Sequence, residues 1–185
     1  MAADPTDDGR LVPTTPALDH LWAGWRHAYI TSVSEPDDTS LEPDETGSLF
    51  ERILRRPDDE AFVVHRGATC SVLLNAYPYT SGHMLVLPNR AVADLEELTP
   101  EELTEMAVLT RDAVTALKVA YRCEGVNVGT NLGRAAGAGV PTHLHTHVLP
   151  RWEGDSNFMT SVALTRILPE PLDVTWRKLA DAWPS

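Results

Sequence analysis

The chain has 185 residues and a formal charge of −12, with 27 acidic residues against 15 Lys and Arg. This length suits one domain with a substantial hydrophobic core. The acidic balance argues against nucleic acid or an anionic membrane as a partner, because both require a dense basic surface.

The N-terminal part of the chain is predicted to lie outside the main domain. Residues 1–17 are rich in Asp, Thr and Pro and are expected to form a disordered tail. Residues 18–57 are predicted to form a helical arm, with an amphipathic helix over 18–30 and an acidic linker over 34–47. The main domain is then expected to span 58–185.

The main domain is predicted to open with three strands, preceded by a short helix over 48–54. Two apolar runs, 61–65 and 70–75, flank a short Gly-containing connection, which is typical of a β-hairpin. A turn follows, and then a third strand over 83–87 that ends at Pro88. These three strands indicate the start of an antiparallel sheet.

A long helix is predicted to begin after Thr99. Thr99 can cap this helix, Pro100 suits its first position, and Glu102 completes a capping box. Apolar residues continue at helical spacing to Tyr121, and Gly125 is the expected stop.

Two further strands and a final helix complete the prediction. Alternating residues predict a strand over 125–132, and a second strand is expected over 158–164. Between them, a loop over 133–141 is rich in small residues, so its backbone N–H groups could approach an anion closely. An amphipathic helix is predicted over 171–183. Consecutive strands interrupted by one long helix indicate an α+β fold with an antiparallel sheet.

The two cysteines, Cys70 and Cys123, lie far apart and form no C-x-x-C pair. We therefore interpret them as free thiols. The N-terminus lacks an apolar signal segment, and no run approaches the roughly 18 apolar residues of a membrane span. A cytoplasmic protein without a membrane partner is the expectation.

Three histidines, His143, His145 and His147, follow the small-residue loop at alternate positions. Side chains alternate between the faces of a strand, so the three imidazoles are predicted to share one face. Imidazole changes charge near physiological pH, and a row of three therefore indicates acid–base or nucleophilic chemistry.

Three interpretations of this row compete. The histidines could be half-buried structural side chains, although three in register would be unusual. They could bind a metal, but three positions spanning about 13 Å of strand cannot all reach one ion unless the strand bends. They could instead attack a phosphate ester or anhydride, because a neutral imidazole is a nucleophile at pH 7 and the loop amides can hold phosphate oxygens.

The segment His143-Leu144-His145-Thr146-His147-Val148-Leu149 resembles the His-φ-His-φ-His-φ-φ signature of the histidine-triad (HIT) superfamily. Thr146 departs from it at one apolar position. The resemblance covers roughly residues 60–155, and the segments 77–79 and 147–158 look most like actinobacterial diadenosine tetraphosphate phosphorylases. It implies a sheet of about five antiparallel strands with one long helix packed against it, plus N- and C-terminal helices.

The resemblance also implies a nucleotidyl transferase or hydrolase that cleaves a nucleoside polyphosphate such as diadenosine tetraphosphate. His145 would attack the α-phosphorus to form a nucleotidyl-histidine. His143 and His147 would flank the phosphate as hydrogen-bond and proton partners, and His83 would support them from the neighbouring strand. The resemblance also implies further substrate contacts. Asn75 would bind the ribose, and Asn131 and the backbone amides around Ala138 and Gly139 would bind the phosphates.

One departure from the family pattern concerns the acceptor. The family's phosphate loop commonly carries a Gly followed by Ser, Thr or Gln, whereas this chain has Ala138 and Gly139 and lacks that side-chain donor. Phosphate, water or another nucleophile therefore remains open as the acceptor. A nucleotide-binding protein without turnover and a His-ligated metal hydrolase are the alternatives. No protein-bound metal is expected, although Mg²⁺ can accompany the polyphosphate. The resemblance further implies a homodimer or larger homo-oligomer.

Overall fold

The computed structural model of the chain describes residues 46–155 and 170–184. The predicted tail, the helix over 18–30, nearly all of the acidic linker and the strand over 158–164 lie outside the described residues. Within the described ranges, no helix is both long and apolar enough to cross a membrane.

The described residues form a five-stranded antiparallel sheet with helices packed on it, as the sequence predicted. The strands are β1 (Val63–Arg66), β2 (Cys70–Leu74), β3 (Met84–Pro88), β4 (Gly125–Thr130) and β5 (Thr146–Arg151). The helices are α1 (Leu49–Leu54), α2 (Asp58–Ala61), α3 (Pro100–Tyr121) and α4 (Leu172–Asp181), with 3-10 turns at Leu95–Glu97 and Arg134–Ala136. The strand order is β1-β2-β3-β5-β4.

The central strands β2 and β3 are buried on both faces, which explains their nearly continuous apolar sequence. Alternate side chains enter two separate cores. Val72 and Val86 pack beneath α3 in the larger core. Leu73 and Leu85 pack on the opposite face, beneath Phe50 of α1. Each such side chain contributes roughly 1.5–3 kcal/mol to stability when fully buried.

Helix α3 begins as predicted, with a complete capping box. The Thr99 hydroxyl accepts a hydrogen bond from Glu102 N at 3.2 Å, and the Glu102 carboxylate accepts one from Thr99 N at 2.8 Å. The apolar spacing correctly predicted the helix as far as Tyr121, but Gly125 is not its stop. Helix α3 ends at Tyr121 because Arg122 takes the left-handed conformation, with φ of 49°, and Gly125 instead begins β4.

The start of the first hairpin also differs from the prediction. The residues just before it form the short helix α2, which begins with three acidic side chains that favour a helix N-terminus. Phe62 then reverses the chain with φ of 52°, so β1 starts at Val63 rather than at residue 61. The hairpin turn is held to α3 by Glu105, whose carboxylate accepts hydrogen bonds from the backbone N–H groups of Ala68, Thr69 and Cys70.

Helix α4 covers the β1 edge of the sheet, in agreement with the predicted C-terminal helix. Trp176 Nε1 donates to the Val63 carbonyl at 2.8 Å, and Leu179 is fully buried. Trp183 stacks on His65 with ring centroids 5.0 Å apart. Both cysteines are free thiols, as expected.

Candidate active site

The three histidines of the row lie together, but only the last one belongs to a strand. Strand β5 begins at Thr146, so His143 and His145 precede it, and the prediction of one continuous strand was wrong there. The ladder between β3 and β5 stops because Pro88 has no N–H to donate. The chain is held instead by Leu144 N, which donates to the Val92 carbonyl at 2.6 Å.

The three imidazoles nevertheless lie on the same side of the sheet. Leu144 and Val148 enter the core beneath α3, while the histidines face α1. The Phe50 ring lies edge-on to the rings of His143 and His145, at centroid distances of 5.3 and 5.2 Å. Of the residues between the histidines, only Thr146 is polar.

Thr146, the departure from the family signature, is accommodated by a neighbouring strand. It pairs with Thr130 across the β4–β5 ladder, and the two hydroxyl oxygens are 2.7 Å apart. A hydrogen bond between them satisfies a polar group that is nearly buried. The substitution therefore leaves the position of the histidines intact.

His145 is held with one ring nitrogen pointing inward. Its Nδ1 lies 2.9 Å from the backbone carbonyl oxygen of His143, and a carbonyl can only accept a hydrogen bond. Nδ1 therefore carries the proton, and the unprotonated nitrogen is Nε2. This tautomer leaves the lone pair of Nε2 as the nucleophilic site of a residue that lines a pocket.

His147 is held in the opposite tautomer by a chain of hydrogen bonds. Tyr79 N donates to His83 Nδ1 at 3.1 Å, so the proton of the His83 ring is on Nε2. His83 Nε2 then donates to His147 Nδ1 at 2.9 Å. The proton of a neutral His147 therefore lies on Nε2, which can donate a hydrogen bond. The structure thus places His83 behind His147, as the resemblance implied.

All three histidines of the row are held in the neutral form. Burial lowers the pKa of His143 and of His145 from the ordinary 6.5. Burial, reinforced by the nearby His145, lowers the pKa of His147 to about 4. At neutral pH, His145 is therefore available as a nucleophile without prior deprotonation.

His143 occupies a different place from its two neighbours. It is fully buried, its Nε2 lies 2.8 Å from the Pro88 carbonyl oxygen, and its Nδ1 lies 2.6 Å from the Ser48 hydroxyl. Both ring nitrogens are thus bonded to protein groups, and His143 does not line the pocket. Its geometry supports the position of His145 rather than the direct phosphate contact that the resemblance implied.

The pocket beside His145 and His147 has a volume of about 390 Å³. One wall is apolar and is formed by α1 and the neighbouring strands. The lining also includes polar groups, from Asn75, the glycine-rich loop and the two histidines. The lining includes the side chains of Phe50, Ile53, Leu73, Asn75, His145 and His147. An apolar cleft with a few convergent polar groups is typical of a small-molecule site.

Some of the other residues predicted to bind substrate line this pocket, and others do not. Asn75 lines it, and the Asn75 Oδ1 accepts a hydrogen bond from Tyr77 N at 2.9 Å. Gly137 and Gly139 of the loop line it, whereas Ala138 does not. Asn131 also lies outside the lining, and its Nδ2 donates to the Gly137 carbonyl at 3.4 Å. Asn131 therefore contacts the loop, while its predicted contact with phosphate remains a prediction.

Sequence reasoning missed Ser48 and Phe50 as parts of the site. Both belong to the short helix that had been assigned to a separate arm. The local signal was present, because Ser48 and Glu51 form a capping box, but that pattern predicts only a helix start. Contact with His143 could not be inferred from it.

The arrangement does not favour a metal centre. Among residues 46–155 and 170–184, no group of three or more His, Cys, Asp or Glu side chains is placed to hold a metal ion. A catalytic zinc normally takes three protein ligands. Among the three imidazoles of the row, the assigned tautomers leave one nitrogen, His145 Nε2, with a lone pair for a ligand in the pocket.

Known proteins resemble this chain in both sequence and structure. A protein-family model described as the HIT domain matches residues 56–154. An AP-4-A phosphorylase from Mycobacterium tuberculosis is 39% identical over 168 residues, which cover 90% of this chain and 85% of that protein. The asymmetrical bis(5'-nucleosyl)-tetraphosphatase of Schizosaccharomyces pombe is 36% identical over 93 residues, half of each chain.

Solved structures show the same fold. A zinc-bound histidine triad family protein from Mycobacterium smegmatis superimposes with a TM-score of 0.55 at 28% identity, covering 65% of this chain and 82% of that one. A histidine triad nucleotide-binding protein from Sulfolobus tokodaii superimposes with a TM-score of 0.54 at 26% identity, covering the same shares of the two chains.

Proposed function

Because the chain belongs to the HIT domain family, we propose that it cleaves a dinucleoside polyphosphate through a covalent nucleotidyl-histidine, with diadenosine tetraphosphate as the substrate. The observation that carries the proposal is the orientation of His145. Its Nδ1–H is bonded inward to the His143 carbonyl, so the Nε2 lone pair is left for a substrate in the pocket. The similarity to an AP-4-A phosphorylase and to a bis(5'-nucleosyl)-tetraphosphatase supports the choice of substrate.

In the first step, His145 Nε2 attacks the α-phosphorus of the polyphosphate. A nitrogen–phosphorus bond forms, and the bond to the bridging oxygen of the leaving ATP breaks. The His145 ring becomes cationic as it bonds to phosphorus, and the His143 carbonyl oxygen stabilises that charge by accepting the Nδ1–H. The His147 Nε2–H donates a hydrogen bond to the charge that develops on the phosphate or the leaving oxygen.

In the second step, an acceptor oxygen displaces His145 from phosphorus. Inorganic phosphate as the acceptor gives ADP, and water gives AMP. The loop at residues 137–139 offers backbone rather than side-chain donors at this point, because Gly139 has no side chain and lines the pocket. We propose phosphate as the acceptor, on the basis of the relative named for phosphorolysis, which shares 39% of the aligned residues.

Substrate binding follows from the apolar and polar parts of the pocket lining. The apolar wall, which includes Phe50, Ile53 and Leu73, suits a nucleobase. Asn75 lines the same pocket, and its Oδ1, which accepts from Tyr77 N, has a second lone pair for a ribose hydroxyl. The backbone amides of the glycine-rich loop would hold phosphate oxygens. Any Mg²⁺ would enter with the polyphosphate rather than on protein ligands.

The products formed from diadenosine tetraphosphate in phosphate buffer test this function. ADP and ATP in equal amounts are expected. AMP and ATP would instead show that water is the acceptor. Tight AMP binding with no product from any dinucleotide would favour the alternative of a binding protein without turnover. Turnover that requires stoichiometric zinc would favour a metal hydrolase.

The pH dependence of kcat/KM is expected to reflect the lowered histidine pKa values. A nucleophile that is neutral in the free protein remains active until the pH falls below its pKa, and burial lowers the pKa of His145 from 6.5. The acid limb of kcat/KM is therefore expected to have its midpoint below 6.5. Measurements between about pH 4 and pH 8 with circular dichroism as a folding control test this. A midpoint at or above 6.5 would contradict the neutral His145.

The predicted homodimer has a candidate interface on the outer edge of the sheet. Strand β4 is an edge strand, and no strand among the described residues pairs with its outer side. Val128 is 50% exposed there, and Leu132 just beyond it is 43% exposed. We propose that a second copy of the chain covers this edge. Sedimentation analysis is expected to give a dimer or larger assembly for the wild type and a smaller species for Val128→Lys, whereas an unchanged mass would contradict this interface.

A further inference from the structure

The residue that contacts His143 Nδ1 comes from outside the matched family region. The HIT domain match covers residues 56–154, whereas Ser48 lies before it, at the start of α1. The Ser48 hydroxyl oxygen is 2.6 Å from His143 Nδ1, across 95 positions of sequence. A segment that precedes the family domain therefore touches the first histidine of the row.

The direction of this hydrogen bond can be assigned from its neighbours. His143 Nε2 lies against the Pro88 carbonyl, which can only accept, so Nε2 carries the proton of the neutral ring. Nδ1 is then an acceptor, and the Ser48 hydroxyl must be the donor. The same hydroxyl oxygen accepts a hydrogen bond from Glu51 N at 3.2 Å. One side chain thus caps α1 and donates a hydrogen bond to His143 Nδ1, while the Pro88 carbonyl fixes the tautomer of the His143 ring.

Helix α1 is anchored so that this contact is maintained. Glu51 accepts hydrogen bonds from Ser48 N at 2.7 Å and from Ala91 N at 3.1 Å, which ties the helix start to the segment after β3. Phe50 packs edge-on against both His143 and His145 and is only 5% exposed. The charged or titratable groups that act on His143 are Glu51 and His145.

The hydrogen bond from Ser48 acts on His145 Nε2 indirectly, through His143. Ser48 and Pro88 hold the His143 ring from both sides, and the backbone carbonyl of His143 holds His145 Nδ1 at 2.9 Å. Because the buried His143 ring is bonded at both nitrogens, these bonds restrain the His143 residue, whose backbone carbonyl in turn orients His145. Ser48 itself does not line the pocket, so it acts through His143 rather than on the substrate.

We propose that Ser48 is a positioning residue for His145: its hydroxyl donates to His143 Nδ1 and thereby sets the orientation in which His145 attacks. The proposal rests on the proposed function, because it assigns a role within that reaction. It also makes the segment at 48–54 a part of the catalytic unit rather than a separate arm.

Three substitutions separate the donor from the helix cap. Ser48→Thr keeps both, because Thr has a hydroxyl and caps helices. Ser48→Asp keeps the cap but has no proton to donate at neutral pH, and Ser48→Gly loses the hydroxyl while destabilising the helix start only slightly, because Gly is accepted at the cap position. Thr99→Ala is the matched control, because it breaks the equivalent capping box of α3, which lies outside the pocket lining.

Two measurements are made on each variant. Nitrogen-15 NMR of the histidine rings at neutral pH reports which nitrogen of His143 carries the proton, and it requires no substrate. In the wild type and in Ser48→Thr, Nδ1 is expected to be unprotonated. In Ser48→Asp, the carboxylate should draw a proton onto Nδ1. In Ser48→Gly, Nδ1 should stay unprotonated because the Pro88 carbonyl still holds the proton on Nε2, but the Nδ1 resonance should shift because its hydrogen bond is lost.

Steady-state kinetics supplies the second measurement. Ser48→Asp and Ser48→Gly are expected to lower kcat on the order of tenfold, the effect of one lost hydrogen bond to a buried group, with KM within about twofold. Ser48→Thr should restore kcat, and Thr99→Ala should lower thermal stability without lowering kcat. A protonated Nδ1 in the wild type, or an unchanged kcat in Ser48→Gly, would overturn the proposal. A wild type without turnover on any dinucleotide would refute the proposed function instead.

Discussion

Replacing His145 with Ala is expected to lower kcat for diadenosine tetraphosphate by at least about four orders of magnitude, because the nitrogen that attacks phosphorus is removed. Binding of AMP should change little, since the apolar wall and Asn75 remain. The measurement is turnover by product chromatography, together with calorimetric binding of AMP. Turnover within about tenfold of the wild type would show that another group is the nucleophile.

Two further experiments test whether the loss of activity in His145→Ala is specific to that ring. His65 stacks on Trp183 away from the pocket, so His65→Ala tests whether the loss of any histidine ring lowers activity. His145→Gly leaves a space beside Phe50 that free imidazole can enter as a replacement nucleophile. Partial recovery of turnover with added imidazole, in this variant alone, is the expected result, and equal stimulation of His145→Gly and the wild type would contradict it.

Replacing His147 with Gln is expected to lower kcat by about 10²- to 10⁴-fold, the usual effect of losing a positioned proton donor. The Nε2–H of His147 is the donor that the hydrogen-bond chain from Tyr79 and His83 fixes in place. KM should change much less than kcat, because the interaction strengthens as charge develops in the transition state. Steady-state kinetics over a range of diadenosine tetraphosphate concentrations checks both values.

The role of His83 is tested through the same variant. His83→Phe removes the donor to His147 Nδ1 while retaining an aromatic ring next to Tyr79, which lies 4.7 Å from the His83 ring. His83→Phe should lower kcat when it is introduced into the wild type. In the His147→Gln background it should lower kcat little further, because both changes affect the same proton, the one on His147 Nε2. Additive losses in the double variant would indicate that His83 acts independently of His147.

The parts of the fold that depend on local signals were predictable from the sequence. Helix α3 follows from Thr99, Pro100 and Glu102, all within four residues of one another, and the structure shows the capping box they form. The antiparallel sheet followed from the same kind of reasoning, whereas the order of its strands was not predicted. Helix and strand ends were less predictable, because Arg122 adopts a conformation usually taken by Gly.

The histidine row shows what such signals cannot give. Its spacing predicted a common face, and the rings do lie together, but His143 is bonded to Ser48 and Pro88 instead of facing the pocket. Both contacts join residues more than 50 positions apart in sequence. Only tertiary structure brings them together, so the separate role of His143 could not be read from the spacing.

The sequence predicted the role of the glycine-rich loop in part. Its small residues predicted close backbone approach to a ligand, and Gly137 and Gly139 do line the pocket, while Ala138 does not. The loop conformation depends on two glycines with positive φ, Gly133 at 73° and Gly137 at 92°, which small-residue composition alone does not locate. The acceptor in the second step is therefore a matter for experiment rather than for loop composition.

The stereochemical course at the α-phosphorus tests the covalent nucleotidyl-histidine most directly. The substrate is a diadenosine tetraphosphate with one sulfur of defined configuration on the α-phosphorus that His145 attacks. The configuration of the ADP that carries this sulfur is then read by phosphorus NMR. Attack by His145 followed by attack of the acceptor inverts phosphorus twice, so net retention is predicted. Net inversion would mean that the acceptor attacks the substrate directly, and it would contradict a nucleotidyl-His145 intermediate.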